Sequence, residues 1–427
     1  MQEAQRSGAA HHDRNGWLMI SRFSTARAGY TVKYSAVHIF YWPIMCSSFA
    51  FGAVFFLSKH YTNSQVGVVL AAASILSVFM QPAAASVADR FRGAGMNRII
   101  LALAAAGALL AALRFFFSDV PVVPAVLYIL ENAAANALLP LVNALGVQVM
   151  NGGAEINFGL ARGTGSVAYA VVSFALGLFL KTGKPDVLPL FSIAFYLALG
   201  AAAVRFPADC GARTPPPPGG EKAKLDREEF SKGGFLPKGS GRFALLLAAV
   251  VFSFCGQSML GTYLIQILRR VGGAAENVGV ANGIAATIEL PAMALFTVLI
   301  RKYRSGTLLR ASFAVIVCKT LATLLAPSVA GIYAAQIFQF GGYAMFVPAS
   351  VYYANEVVPR SSLAKGQAAL TSASTLGGVA ASLLGGRLLD CAGVGTMLTA
   401  SVLIASAGCA MGLFAVKTAR PGPEAQA

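Results

Sequence analysis

One apolar stretch of the sequence carries the side chains that are best placed for ligand chemistry. Residues 157–177, NFGLARGTGSVAYAVVSFALG, are apolar enough to cross a bilayer but contain Arg162. On an α-helix Arg162, Ser166 and Tyr169 stand at i, i+4 and i+7 and share one face. A charge near the centre of a spanning helix costs roughly 2.5–3.5 kcal/mol and is tolerated in a protein interior or aqueous cavity. The stretch therefore predicts a cationic ligand anchor, with a purely structural ion pair as the alternative.

Three other charged residues lie within apolar runs, namely Lys319, Glu131 and Glu289. Glu289 stands two residues before Pro291, where a helix loses a backbone hydrogen bond and tends to kink. If Lys319 approaches Glu289 in one conformational state only, the carboxylate can take up and release a proton. The alternative is a static ion pair. Glu131 is interpreted as structural rather than functional.

The composition excludes most soluble classes of protein. Hydrophobic residues make up 56% and charged residues 12% of the 427 residues, whereas soluble domains contain about 25% charged residues. The chain is predicted to be an all-α, polytopic membrane protein embedded in a lipid bilayer. The net charge of +16 is spread along the chain, so no nucleic-acid partner is expected. The cysteines are scattered, and we expect no metal site, no cofactor and no enzymatic activity.

Twelve apolar runs of about 20 residues form two groups of six, separated by a proline-rich, charged segment. The predicted organisation is a polar N-terminal tail (1–34), a six-helix bundle (35–204), a cytoplasmic linker (205–242), a second six-helix bundle (243–416) and a C-terminal tail (417–427). With Arg114 assigned to a loop, lysine and arginine concentrate on the side of both termini and the linker. The positive-inside rule then places both termini in the cytoplasm, as expected for a multi-pass plasma (inner) membrane protein.

Three stretches resemble the major facilitator superfamily, and within it the oligosaccharide:proton symporter group. Residues 65–93 resemble the second helix and its following loop motif, which contains Asp89 and Arg90. FGLARGTGSVAYA is similar to the fifth helix, and RKYRSGTLLRASFAVIVCK aligns Lys319 with an intramembrane arginine of the ninth. The sequence departs from the group at Asn143, Gln339 and Gly342, which stand where the lactose permeases have glutamate, histidine and glutamate. These departures argue against lactose as the substrate and against coupling through the same residues.

The resemblance implies a major facilitator fold and a secondary active transporter that works by alternating access. We expect the protein to be a monomer. The resemblance assigns Arg162, Ser166 and Tyr169 to the binding of a small polar substrate, with saccharides or glycosides favoured, and we expect Asn143 and Gln339 to take part in the same site. Glu289 and Lys319 would couple transport to protons, and Asp89 and Arg90 would form a cytoplasmic gate. The alternatives are a proton-driven exporter of drugs or metabolites and a non-transporting membrane sensor with the same fold.

Overall fold

The computed structural model describes residues 29–90, 94–151, 156–206, 241–358 and 363–417, and these ranges are helical and contain no strand. The predicted linker and both tails lie for the most part outside the described residues. The helices are α1 (Gly29–Ala50), α2 (Gly52–Ser58), α3 (Asn63–Arg90), α4 (Ala94–Phe116), α5 (Val123–Asn151), α6 (Phe158–Thr182), α7 (Leu188–Val204), α8 (Gly241–Thr262), α9 (Leu264–Arg270), α10 (Ala275–Lys302), α11 (Ser305–Leu325), α12 (Val329–Ala335), α13 (Tyr343–Val357) and α14 (Leu363–Ala415).

In the described ranges these helices make twelve crossings, several of which are broken. The first consists of α1 and α2, which meet at a 42° bend after a π-helical turn at Cys46–Ala50. α9 continues the seventh crossing beyond α8. The tenth, which the sequence predicted as one of twelve continuous apolar runs, consists of α12, a 3₁₀ turn at Gln336–Gln339 and α13. α1 begins at Gly29, inside the segment that was predicted to be a polar tail.

The long helix α14 supplies two crossings because it reverses direction at Gly393. This glycine has a φ of 79°, a value that glycine adopts far more readily than other residues. Before the reversal, Gly377 packs on Cys255 and Gly385 packs on Met259. After the reversal, the contacts move along α8 in the opposite direction, because Ser401 lies against Gly256 and the later residue Gly408 lies against the earlier residue Ser253. The two parts of α14 therefore run in opposite directions along α8.

The hydrophobic cores show that the two bundles meet at one end only. We call it the sealed end; it carries the connections at residues 59–62, 117–122, 183–187 and 271–274 and the reversal at Gly393. One buried core there includes Phe56 and Leu180 from the first bundle and Met259 and Leu268 from the second. At the opposite end, the open end, each bundle has a core of its own. The two bundles are thus joined at the sealed end and separate at the open end.

Two sets of contacts close the sealed end. In the first, α6 and α10 touch backbone to backbone, because a Cβ atom on Gly279 would collide with Ser173 and Gly177. The Ser173 hydroxyl donates to the Gly279 carbonyl oxygen at 3.0 Å. Such close approach of helices requires small residues.

In the second set, the Asp390 carboxylate of the second bundle binds the first turn of α3. It accepts hydrogen bonds from the Asn63 backbone N–H (3.1 Å), the Asn63 side-chain amide (2.8 Å) and the Ser64 backbone N–H (2.7 Å). The free N–H groups at a helix N-terminus carry partial positive charge, which favours an anion there. Asp390 therefore caps a helix of the opposite bundle.

Candidate functional site

Arg162 lies in the second turn of α6 and makes two contacts that fix its guanidinium group. The helix begins at Phe158, and the Asn157 side chain caps it by accepting from the Leu160 N–H at 2.9 Å. Arg162 Nη1 donates to Ser166 Oγ at 3.2 Å, which confirms that these two residues share a helix face. Its Cζ atom lies 3.8 Å from the centroid of the Trp42 ring on α1. A cation over an indole face is a favourable arrangement.

The approach of α1 to α6 depends on Gly165. A Cβ atom at this position would collide with the Trp42 ring and would come within 3.2 Å of His38 Cβ. The spacing of residues within α6 could not show that the approaching helix is α1 or that the Trp42 indole lies against Arg162.

Several buried polar atoms of the first bundle lack hydrogen-bond partners among the described residues. His38 is fully buried and both of its ring nitrogens are unpartnered. Trp42 Nε1 is also unpartnered, and so is Asn143 Oδ1 on α5. Buried polar groups without partners are costly, and in native proteins they mark places where water or a ligand binds. Sequence reasoning missed His38, although its i, i+4 relation to Trp42 would have placed both on one face.

On the second bundle, Gln339 connects the two charged residues that the sequence singled out. Lys319 Nζ donates to Gln339 Oε1 at 2.6 Å, and Gln339 Nε2 donates to Glu289 Oε1 at 2.8 Å. The ammonium and the carboxylate are therefore bridged by a neutral amide instead of meeting directly. Lys319 and Gln339 are buried, with exposed fractions of 7% and 9%. Both polar ends of Gln339, which the sequence assigned to substrate binding, are occupied by this chain.

The two bundles bring opposite charges toward each other without direct contact. Glu289 lies within electrostatic range of both Lys319 and Arg162, and Tyr343 of α13 lies within range of Arg162 and Glu289. Among the described side chains, no carboxylate comes within 4 Å of Arg162. Tyr169, the third residue of the predicted stripe, packs against the shared core and is within range of Glu289. The arrangement places a cation of the first bundle and a carboxylate of the second within electrostatic range of each other.

The predicted gate is described only in part. Arg90 is exposed and is the last residue of α3. The side chain of Asp89 lies outside the described residues, so its partners stay a prediction.

Glu131 belongs to a separate buried cluster that includes Arg114. Arg114 Nε donates to Glu131 Oε2 at 2.8 Å, and Ser48 Oγ donates to Glu131 Oε1 at 2.6 Å. The assignment of Arg114 to a loop is wrong, because its side chain is only 1% exposed. Its guanidinium also lies 4.9 Å from the Phe55 ring centroid. An arginine near the end of an apolar run looks like a loop residue until its partner, 17 positions later, is known.

A cavity of about 510 Å³ lies between α1, α3, α5 and the first part of α14. None of the residues predicted to bind substrate or to couple protons lines it. Its walls come from both bundles, and its polar lining is formed by serine, threonine, asparagine and glutamine side chains. A search for charged residues within apolar runs could not have found it.

Two bundles of spanning helices, joined at one end and separate at the other, form a fold that solved structures of membrane transporters share. The sequence relatives are transporters as well, and the chain is a transporter and not an enzyme. More specifically, the family model of the MFS_1 like family matches residues 31–399, and the chain belongs to this family of major facilitator transporters.

Relatives and solved structures agree with this assignment. The maltose permease of Geobacillus stearothermophilus is 26% identical over 377 residues, which cover 85% of this chain and 89% of that protein. The fold is also that of the nucleoside transporter NupG (TM-score 0.72, 14% identity, 90% of this chain and 98% of the other). A D-xylose-proton symporter superposes with a TM-score of 0.65 at 13% identity, covering 91% and 97% of the two chains.

Proposed function

We propose that the protein is a secondary active transporter that moves a small polar organic solute, saccharide or glycoside in character, across the plasma membrane. The observation that carries this proposal is the opposition of Arg162 and Glu289 across the bundle interface. The two groups attract each other but are not paired. A solute that binds between them would contact both bundles at once, which is the requirement for coupling binding to their relative movement.

The chemistry around Arg162 suits a hydroxylated ligand. A guanidinium offers several donors in a planar fork and can hold two hydroxyl oxygens at once. His38 and Trp42 add polar atoms beside Arg162 that have no partner among the described residues. Asn143, whose Oδ1 atom is also unpartnered, is proposed to belong to the same site. The names of two similar proteins, a maltose permease and a D-xylose-proton symporter, support saccharides as the first class to test. The nucleoside transporter supports nucleosides as the next.

The chain from Lys319 through Gln339 to Glu289 is our proposed coupling device. A carboxylate accepts strong hydrogen bonds from an amide and attracts nearby cations, and protonation removes its charge. When Glu289 takes up a proton, its attraction for both Arg162 and Lys319 falls. Arg162 is then free to bind the solute alone, so that solute and proton travel together.

For orientation, we propose that the open end and both termini face the cytoplasm. The basic residues of the sequence favour this orientation. In the described state the solute would exchange with the cytoplasm, while Asp390 and the contact between Gly177 and Gly279 close the opposite side. Rocking of the bundles would then bring the ends of α3 and α14 together, where Asp89 and Arg90 are proposed to act as a gate.

Transport can be tested with purified protein in proteoliposomes. We expect radiolabelled maltose to accumulate when the outside is made acidic, and Arg162→Ala to abolish both accumulation and counterflow. The matched control is Arg301→Ala, an exposed arginine at the end of α10, which should transport normally. Failure of maltose and of a nucleoside panel, together with dye efflux, would instead favour the exporter. Binding without counterflow would favour the sensor.

A further inference from the structure

The cavity between α3, α5 and α14 has a lining that differs in kind from the surroundings of Arg162. Among the described residues that form its walls, none carries a formal charge. Its polar contributors include Ser74 and Ser77 on α3, Asn132 and Asn136 on α5, and Thr371 and Thr375 on α14. At about 510 Å³ it falls within the usual range for sites that bind small molecules.

Four hydroxyl groups in this lining face a ligand as acceptors, because their protons are used within their own helices. Ser74 and Ser77 donate their protons to the carbonyl oxygens of Leu70 and Ala73, at 2.9 and 2.7 Å. A hydroxyl has a single proton to donate and two lone pairs to accept with. Once the proton is used within the helix, the oxygen still offers a lone pair to the cavity.

The wall formed by the second bundle has the same property. Thr371 donates to the Gln367 carbonyl oxygen at 3.2 Å, and Thr375 donates to the Thr371 carbonyl oxygen at 3.1 Å. Both sides of the cavity therefore present oxygen atoms whose protons are already committed.

Asn132 supplies a further acceptor that is not satisfied. Its side chain is 2% exposed and lines the cavity. Its Nδ2 group donates to the Tyr128 carbonyl oxygen at 3.1 Å, whereas Oδ1 has no partner among the described residues. An unmet buried acceptor is costly, and a donor brought by a ligand or water relieves that cost.

We infer that this cavity is a second binding site, separate from Arg162, for a neutral polyhydroxylated ligand. These acceptors complement hydroxyl donors, whereas the lining offers no formal charge to pair with an anion or with a cation. Because the walls belong to both bundles, an occupant holds them apart at the open end. This last consequence rests on the proposed alternating access; binding itself does not.

The test uses the full-length protein in lipid nanodiscs, where no glycoside detergent competes, with maltose as the probe. In the Arg162→Ala background, saturation-transfer NMR should still show maltose binding. Adding Thr371→Val and Thr375→Val should weaken that binding by about ten-fold, because two acceptors are lost. The matched control is Thr396→Val with Thr399→Val, since these threonines also donate to their own helix but do not line the cavity. The control should bind as the background does.

Two further arms keep the inference falsifiable. Asn132→Leu should also abolish the residual maltose signal, and an unchanged melting temperature shows that the variant has folded. Glucuronate, an anionic sugar acid, should bind only where Arg162 is present. The inference is overturned if Arg162→Ala removes all maltose binding or if the cavity threonine variant binds as its control does. If the wild-type protein shows this cavity binding but no maltose uptake, only the proposed transport is contradicted.

Discussion

Asp390 offers a direct way to shift the balance between the closed and open forms of the sealed end. Its carboxylate accepts three hydrogen bonds from Asn63 and Ser64 across the bundle interface. The substitution Asp390→Asn keeps the size of the side chain but removes the charge and one of the two acceptor oxygens. The sealed form should therefore lose stability relative to a form in which this end has opened.

The size of the effect follows from the kind of contact. Loss of a helix N-terminal cap costs about 0.5–2 kcal/mol, and an anion at a helix N-terminus contributes about 0.3–1 kcal/mol. Asp390 is exposed, so solvent screening places the total near the low end, about 1 kcal/mol. A loss of about 1 kcal/mol changes the ratio of sealed to opened molecules by about five-fold.

The assay is a spin-label distance measurement between the bundles. Labels introduced at Lys184 and Ala274, which are exposed on opposite sides of the α6 and α10 contact, report opening in a background without native cysteines. Asp119→Asn is the matched control, because Asp119 pairs with Lys59 within a single bundle. The reasoning is refuted if Asp390→Asn leaves the fraction of long distances unchanged, or if Asp119→Asn raises it equally.

Other substitutions test the remaining contacts. Glu131→Gln leaves Arg114 without its buried partner and should lower the free energy of unfolding by about 3–5 kcal/mol in a denaturation experiment, whereas replacing both residues by apolar ones should recover most of the loss. Glu289→Gln should retain counterflow but lose uphill accumulation in proteoliposomes; unchanged accumulation would contradict the coupling proposal. Burial acts to lower the pKa of Lys59, but hydrogen bonds with two aspartates outweigh it and raise the pKa above 10.5. Its contribution to stability is therefore complete at neutral pH and should disappear only as the pH rises past that value, so the difference in melting temperature between wild type and Lys59→Met should shrink only in strong alkali. Gly279→Val should lower the melting temperature, since the added side chain has no room at the contact between α6 and α10.

Helical periodicity within one segment correctly predicted a contact between side chains. It placed Arg162 and Ser166 on one face, and the structure confirms their contact. The length of the apolar runs predicted the crossings, because a bilayer imposes a minimum length on each of them. Both inferences use only neighbours along the chain.

Contacts between distant segments could not be predicted in this way. Gln339 lies 20 residues from Lys319 and 50 from Glu289, and only the folded second bundle shows that its amide joins them. Compared with related proteins, Gln339 looked like the loss of a coupling histidine. In the structure its amide keeps the ammonium and the carboxylate connected.

The breaks in the helices could not be predicted from the composition of the segments either. Residues 329–353 read as one apolar run, but the chain forms a 3₁₀ turn at Gln336–Gln339 before α13 begins. That turn brings the Gln339 side chain toward α10 and α11. A hydropathy profile reports how apolar a segment is and contains nothing about where its hydrogen-bond pattern changes.

The buried pair of Arg114 and Glu131 has a consequence for how the chain enters the membrane during synthesis. The two residues lie on consecutive helices, α4 and α5, which are joined by the short connection at residues 117–122. Either helix alone would carry an uncompensated charge into the lipid. A hairpin that partitions as a unit presents a neutralised pair, so these two helices are expected to leave the translocon together and not one after the other.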